Sequence, residues 1–184
     1  RYNRPDSRVD DYLQLSPQLG LTYQLGMNSQ LYWSLVHGFR SPQATELYRL
    51  QREQTVADLE PVELKGFDGG WRFQGNELSI DIALYHYQKS NGIIRNTDFY
   101  NISGAKSDHR GIEVTIETVI TDTLTFEINS SFAEHTYRNN PGISEQDIIG
   151  LDIDTSPNEM ANAFLNYESG SWSWQLHGQY SGDY

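Results

Sequence analysis

Alternation dominates this chain. Ile112, Val114 and Ile116 are interleaved with Gly111, Glu113, Thr115 and Glu117, while Leu124, Phe126, Ile128 and Phe132 alternate with Thr125, Glu127, Asn129 and Ser131. A period of two is the mark of a β-strand with one apolar and one polar face. Thr121-Asp122-Thr123 joins the two runs, which predicts a tight antiparallel hairpin over Gly111–Phe132. A one-residue slip would move Glu113, Glu117 and Glu127 to the apolar side. If that side meets lipid, a misplaced charge near the midplane costs about 2–4 kcal/mol for Lys or Arg and less for Glu. The register is therefore strongly specified.

The same pattern recurs along the chain. Residues 1–15 read as a polar loop. A first strand over 16–25 presents Leu19, Leu21, Tyr23 and Leu25, and Gly26-Met27-Asn28 is a turn. A second, from about Gln30 to Arg40, presents Leu31, Trp33, Leu35 and Phe39. After a long polar connection, 41–61, a third over 62–73 carries Phe67, Trp71 and Phe73 against Asp68 and Arg72. Residues 74–77 turn into a fourth strand with Leu78, Ile80, Ile82 and Leu84. An irregular stretch is expected over 89–108, before the hairpin. A third long connection, 138–157, precedes a seventh strand (Ala161 to Tyr167) and an eighth (from Trp172), joined by residues 168–171.

Connections thus alternate short and long, and strands of about 10 residues suit a tilted crossing of a bilayer. Short turns at one end and long loops at the other are the habit of outer-membrane barrels. Trp71, Phe73, Phe126, Tyr167, Trp172 and Trp174 lie near the short turns, where an interfacial aromatic belt would sit. The competing reading is a soluble, secreted β-sandwich that binds carbohydrate. It requires Leu31, Leu35, Ile112, Val114 and Ile116 to pack beneath a second protein layer.

Composition narrows the field. The chain has 184 residues, enough for one domain with a core, and no cysteine, which argues against a disulfide scaffold. No apolar run is long enough for a transmembrane helix, and Arg1 opens the chain without a secretory signal. Neither observation bears on a barrel, whose strands alternate. A net charge of -12 argues against nucleic acid as a partner.

Several segments resemble TonB-dependent outer-membrane receptors. Ser16-Pro17-Gln18-Leu19-Gly20-Leu21-Thr22-Tyr23 is similar to the opening of one of their barrel segments. Gly38-Phe39-Arg40-Ser41-Pro42, followed by Glu46-Leu47-Tyr48, resembles their Gly-Phe-Arg-Ala-Pro…Glu-Leu-Tyr signature, with Ser41 in place of Ala. Asp58-Leu59-Glu60-Pro61 and Lys65-Gly66-Phe67-Asp68 resemble the Asn-Pro-x-Leu-x-Pro-Glu…Glu segment, without its Asn-Pro. Ile93-Ile94, Gly111-Ile112-Glu113 and Thr155-Ser156-Pro157…Ala161-Asn162 occur in the family's order. The resemblance implies an all-β, antiparallel, up-and-down transmembrane barrel segment of about eight strands from a roughly 22-stranded, plugged barrel. It implies that residues 1–184 are barrel, with the N-terminal plug and the last strands outside this chain. It also implies the cell outer membrane of a Gram-negative bacterium and active uptake of a scarce bulky nutrient. A ferric siderophore comes first among cargoes, with haem, cobalamin or an oligosaccharide as alternatives. The partners are then the ferric chelate, the TonB complex through the plug region, and outer-membrane lipid, with no cofactor.

No catalytic constellation is expected. His37, His86, His109, His135 and His177 show no metal-ligand spacing, Ser34 and His37 lack an oriented acid, and Asp147, Asp152 and Asp154 lack a calcium-loop pattern. Asp81, Glu113, Glu117 and Glu127 fall on the polar face and are expected to be hydrated, or to hold the plug through charge-assisted hydrogen bonds, more than to guide a cationic cargo. Phe39, Arg40, Pro42, Glu46, Leu47 and Tyr48 read as a strand-to-loop joint, in which Pro42 extends the backbone of Ser41. Candidate ligand contacts lie in the long loops: Tyr48, Arg49 and Arg52 in the first, Tyr100 in the second, and His135, Tyr137 and Arg138 in the third. Aromatic faces with cationic donors suit an anionic aromatic iron chelate. The first loop contains no His, which lowers haem among the cargoes.

Overall fold

The computed structural model describes residues 9–48, 57–154 and 156–182. They form one eight-stranded antiparallel sheet whose spatial order is the chain order. The strands are β1 Gln18–Gln24, β2 Ser29–Arg40, β3 Val62–Gln74, β4 Leu78–Arg95, β5 Asn101–Thr121, β6 Leu124–Tyr137, β7 Glu159–Ser169 and β8 Trp172–Ser181, with one short helix, α1 Ala44–Leu47. No helix among the described residues is long and apolar enough to cross a membrane, which says nothing of strands. β1 and β8 are edges, so the sheet is open.

Register puts the apolar positions on one face. Leu31 pairs with Trp71, Trp71 with Ile82, Ile82 with Val114, and one step along the strands Phe73 pairs with Ile80, Ile80 with Ile116 and Ile116 with Ile128. Nothing covers this face. Leu35 is 56% exposed, and Leu31, Ile112, Val114, Ile116, Phe126 and Ile128 are not buried either. The second layer that a sandwich demands is absent among the described residues. The buried apolar side chains are Leu47, Leu59, Val62, Ala105 and Ile148, all toward the long-connection end.

The apolar face stops at a sharp level. Phe67 pairs with His86, His86 with Arg110 and Arg110 with Glu134, and the Arg110 guanidinium forks onto the Glu134 carboxylate at 2.8 and 3.1 Å. From there to the β5–β6 turn, Gly111–Ile120 spans about 33 Å of strand, or about 25 Å of height at a tilt near 40°, the height of an apolar barrel band. The aromatic belt forms at the other margin: Tyr167 stacks on Trp174 with ring centroids 5.4 Å apart, and Trp71 on Phe73 at 6.2 Å.

The expected irregular stretch over 89–108 is corrected by the structure. β4 continues to Arg95 and β5 begins at Asn101, so most of it is a hairpin rising above the apolar band. Apolar residues do not alternate with polar ones there (Ile93 and Ile94 are adjacent, and Ala105 and Ser107 are both buried), so the hydropathic signal of a strand vanishes although the backbone pairing continues. A bulge around Gly92, with Asn91 at φ 53°, offsets the register. The third connection folds back on β6: Tyr137 N–H donates to Leu151 O, and Ile153 N–H to His135 O.

Candidate functional site

The candidate site lies on the polar face of the sheet, the kind of face that a membrane barrel turns toward its lumen. Its lower half is ordered by tyrosines laid over glycines. Tyr32 faces Gly70 across β2–β3, and Tyr85 faces Gly111 across β4–β5. A Cβ at Gly70 would come within 2.4 Å of Ile82 O and 2.5 Å of the Tyr32 hydroxyl, and one at Gly111 within 2.7 Å of the Tyr85 hydroxyl. Only glycine leaves room for rings at these two positions. The Tyr32 hydroxyl then donates to Asp81 Oδ1 at 2.7 Å, while Arg72 Nε donates to Asp81 Oδ2 at 2.6 Å. The guanidinium carbon of Arg72 sits 5.3 Å from the Tyr32 ring centroid. Asp81 is thereby neutralised within the wall.

The other predicted wall carboxylates differ from it. Glu113 and Glu117 have no hydrogen-bond or ion-pair partner among the described residues, and Glu127 accepts from Asn129 Nδ2 at 2.7 Å. Glu117 and Glu127 are direct cross-strand neighbours. Two carboxylates so placed repel one another. This part of the polar face is therefore acidic, with Glu113 and Glu117 exposed.

At the upper rim the Phe39–Tyr48 segment forms a closed joint. Arg40 Nη1 and Nη2 donate to Glu46 Oε2 and Oε1 at 2.9 and 3.0 Å, and Gln43 N–H donates to Glu46 Oε2 at 2.7 Å. The guanidinium hydrogen bonds hold the Glu46 carboxyl below its ordinary range. Leu47 is buried, and the Asn101 amide ties the helix to β5 through Glu46 O. A cavity of about 570 Å³ lies between α1 and the β4–β5 hairpin, lined by Glu46, Tyr48, Ile94, Arg95 and Asn101 among others.

The predicted loop contacts are not gathered in one place. Tyr48 lines that cavity and donates its hydroxyl to the Asp10 carboxylate. Tyr100 closes the β4–β5 turn, its N–H donating to Asn96 Oδ1 at 2.8 Å. His135 and Tyr137 stand on β6 rather than in the third loop, on the polar face. Arg138 turns to the opposite face, its Nε 3.3 Å from Asp108 Oδ2, and His86 shares that carboxylate at 3.5 Å. Arg49 and Arg52 lie outside the described residues.

Sequence reasoning missed one pairing. His109 and His135 are opposite one another on β5 and β6, with their Nδ1 atoms 2.9 Å apart, and Ser107 Oγ holds His109 Nε2 at 2.8 Å. This group lies above the apolar band, near Tyr87 and Lys89 of β4. Burial, followed by His135 and Lys89, lowers the His109 pKa from its usual range. Counting residues outward from the Thr121–Thr123 turn would have shown the pair. Among the described residues no group of three or more His, Asp or Glu side chains is placed to hold a metal ion.

Comparison with known proteins decides the family. The model for the TonB dependent receptor-like β-barrel matches residues 1–184. The chain belongs to this family. No curated protein matches it. Solved structures show the same fold at low identity. The ferric-catecholate import receptor Fiu from K12 E. coli is 16% identical, with a TM-score of 0.67 over 90% of this chain and 25% of its own. The siderophore receptor PiuA from Acinetobacter baumannii is 18% identical, with a TM-score of 0.69 over 89% of this chain and 25% of its own. The copper transporter OprC is 19% identical, with a TM-score of 0.67 over 86% of this chain and 25% of its own. The TonB-dependent receptor chain described here therefore spans about a quarter of each of these three structures. Members of the family are outer-membrane transport receptors rather than enzymes.

Proposed function

We propose that this chain is part of an outer-membrane active transporter of a Gram-negative bacterium, and that its cargo is a ferric siderophore. The observation that carries the reading is the single sheet with an uncovered apolar face and a polar face rising well above it. An open sheet edge is not tolerated in hydrocarbon. β1 and β8 therefore pair with further strands of the whole receptor, in a barrel of about 22 strands. The lumen of that barrel holds a plug, which the TonB complex engages. Glu113, Glu117 and Glu127 meet cationic side chains of the plug through charge-assisted hydrogen bonds. Cargo is held higher up by Tyr48, Tyr100, His135, Tyr137 and the loop arginines Arg49 and Arg52, and Arg138 belongs to this set only if it leaves Asp108. The iron-chelate titles of Fiu and PiuA favour this cargo class, and the copper title of OprC keeps a metal ion as the second reading.

The test is uptake. A strain lacking the receptor gene should lose growth on one ferric chelate from a panel, and accumulation of that chelate labelled with radioactive iron should fall to background. Unchanged uptake of every ferric chelate, with loss of another nutrient, would replace the cargo. Loss of nothing would remove the transporter reading.

A further inference from the structure

We propose that His109 and His135 form a two-imidazole site for a cupric ion on the upper polar wall, which takes His135 out of the set assigned above to cargo whenever the ion is bound. Three features support this. The two rings come from adjacent strands in fixed register, so the spacing of their nitrogens is set by the sheet and not by a loop. The Nδ1 atoms are 2.9 Å apart, with ring centroids at 5.0 Å and planes inclined by 51°. At that distance the two nitrogens share one proton, and a metal ion takes its place once the rings pivot to aim both lone pairs at it.

The donor set chooses the metal. Two neutral imidazoles suit Cu²⁺, Ni²⁺ and Zn²⁺, and the general order of affinities puts Cu²⁺ first among them. Ser107 supplies the outer support that ligating imidazoles normally have. Its hydroxyl, itself buried, holds Nε2 of His109 and leaves Nδ1 to face the ion. The remaining coordination positions open to the lumen, where water or a small chelator completes them. Lys89 opposes a cation here and Asp108, across the sheet, favours one. The covalent nitrogen bonds dominate both.

The experiment uses the full-length receptor in detergent, titrated with cupric sulfate. One ion per receptor should give an axial electron paramagnetic resonance spectrum with hyperfine coupling to two imidazole nitrogens. His109→Ala and His135→Ala should each weaken that ion at least tenfold, Ser107→Ala about tenfold, and Zn²⁺ should displace it only in at least tenfold excess. The heat-dependent gel shift of a folded barrel should be unchanged in every variant. A wild-type spectrum without the two-nitrogen coupling overturns the proposal whether or not the variants fold. So does an unaltered affinity in a folded His109→Ala/His135→Ala receptor.

Discussion

Arg40, the last residue of β2, clasps Glu46 of α1 with both ends of its guanidinium, and the same carboxylate caps the helix by accepting from Gln43 N–H. The pair holds the segment from Ser41 to α1 against the end of β2. Because the folded Glu46 carboxyl titrates below its ordinary value near 4.3, its contribution is complete above that range and disappears as pH falls through the lowered value. Arg40 is 45% exposed, so solvent limits the effect to under about 1 kcal/mol. We expect Glu46→Gln to speed amide exchange over 41–48 severalfold at pH 7 and to have no such effect at pH 2. A mutant indistinguishable from wild type at pH 7 would show that the clasp does not order this segment.

Gly70 and Gly111 carry the tyrosine-covered wall. Alanine at either position collides with a carbonyl as well as with a ring, so removing the tyrosine relieves only part of the strain. Gly70→Ala should destabilise the barrel by about 1–3 kcal/mol. The temperature at which the folded band disappears on gels should drop accordingly, and Tyr32→Ala in the same chain should recover less than half. The control is Gly38→Ala, since a Cβ there meets nothing within 4 Å.

Val114 lies midway down the apolar band of β5, between Arg110 and Thr121. Val114→Arg should cost about 2–4 kcal/mol in reversible unfolding from lipid vesicles, and Ile120→Arg, near the turn, about 1 kcal/mol or less. Equal penalties at the two depths would mean that this face does not meet hydrocarbon.

The cross-strand carboxylates Glu117 and Glu127 give a test with opposite signs. In a receptor whose plug has been deleted, Glu117→Gln removes repulsion and should raise barrel stability by a few tenths of a kcal/mol. If these carboxylates hold the plug as proposed, the same change in the intact receptor should increase leakage of small solutes through the pore. A stabilising effect in both contexts would leave the wall carboxylates without a plug partner.

The sequence disclosed the strands wherever one face is apolar and the other polar, because there the backbone period and the hydropathic period coincide. Ile112–Ile116 and Leu124–Ile128 are plain for this reason. Over Gln88–Asp108 the strands stay paired on either side of the turn, but apolar and polar residues no longer alternate, so the pattern carries no information and the hairpin was invisible. The Arg40–Glu46 clasp was legible as a motif but not as a bond. The Tyr32–Gly70 and His109–His135 relationships needed cross-strand register, which alternation alone leaves free by any even number of residues. Arg138 shows the remaining gap: its place after β6 suggested a loop contact, and the side chain chose Asp108 on the outer surface.

The strands are unequal. β5 has 21 residues and β4 has 18, whereas β7 has 11 and β8 has 10. Ten additional residues amount to about 33 Å of extended chain. The upper margin of the sheet is consequently uneven, with the β4–β5 hairpin standing as a parapet beside the shorter β7. In the receptor proposed above, a solute arriving from outside would meet that parapet before the lower wall beside it.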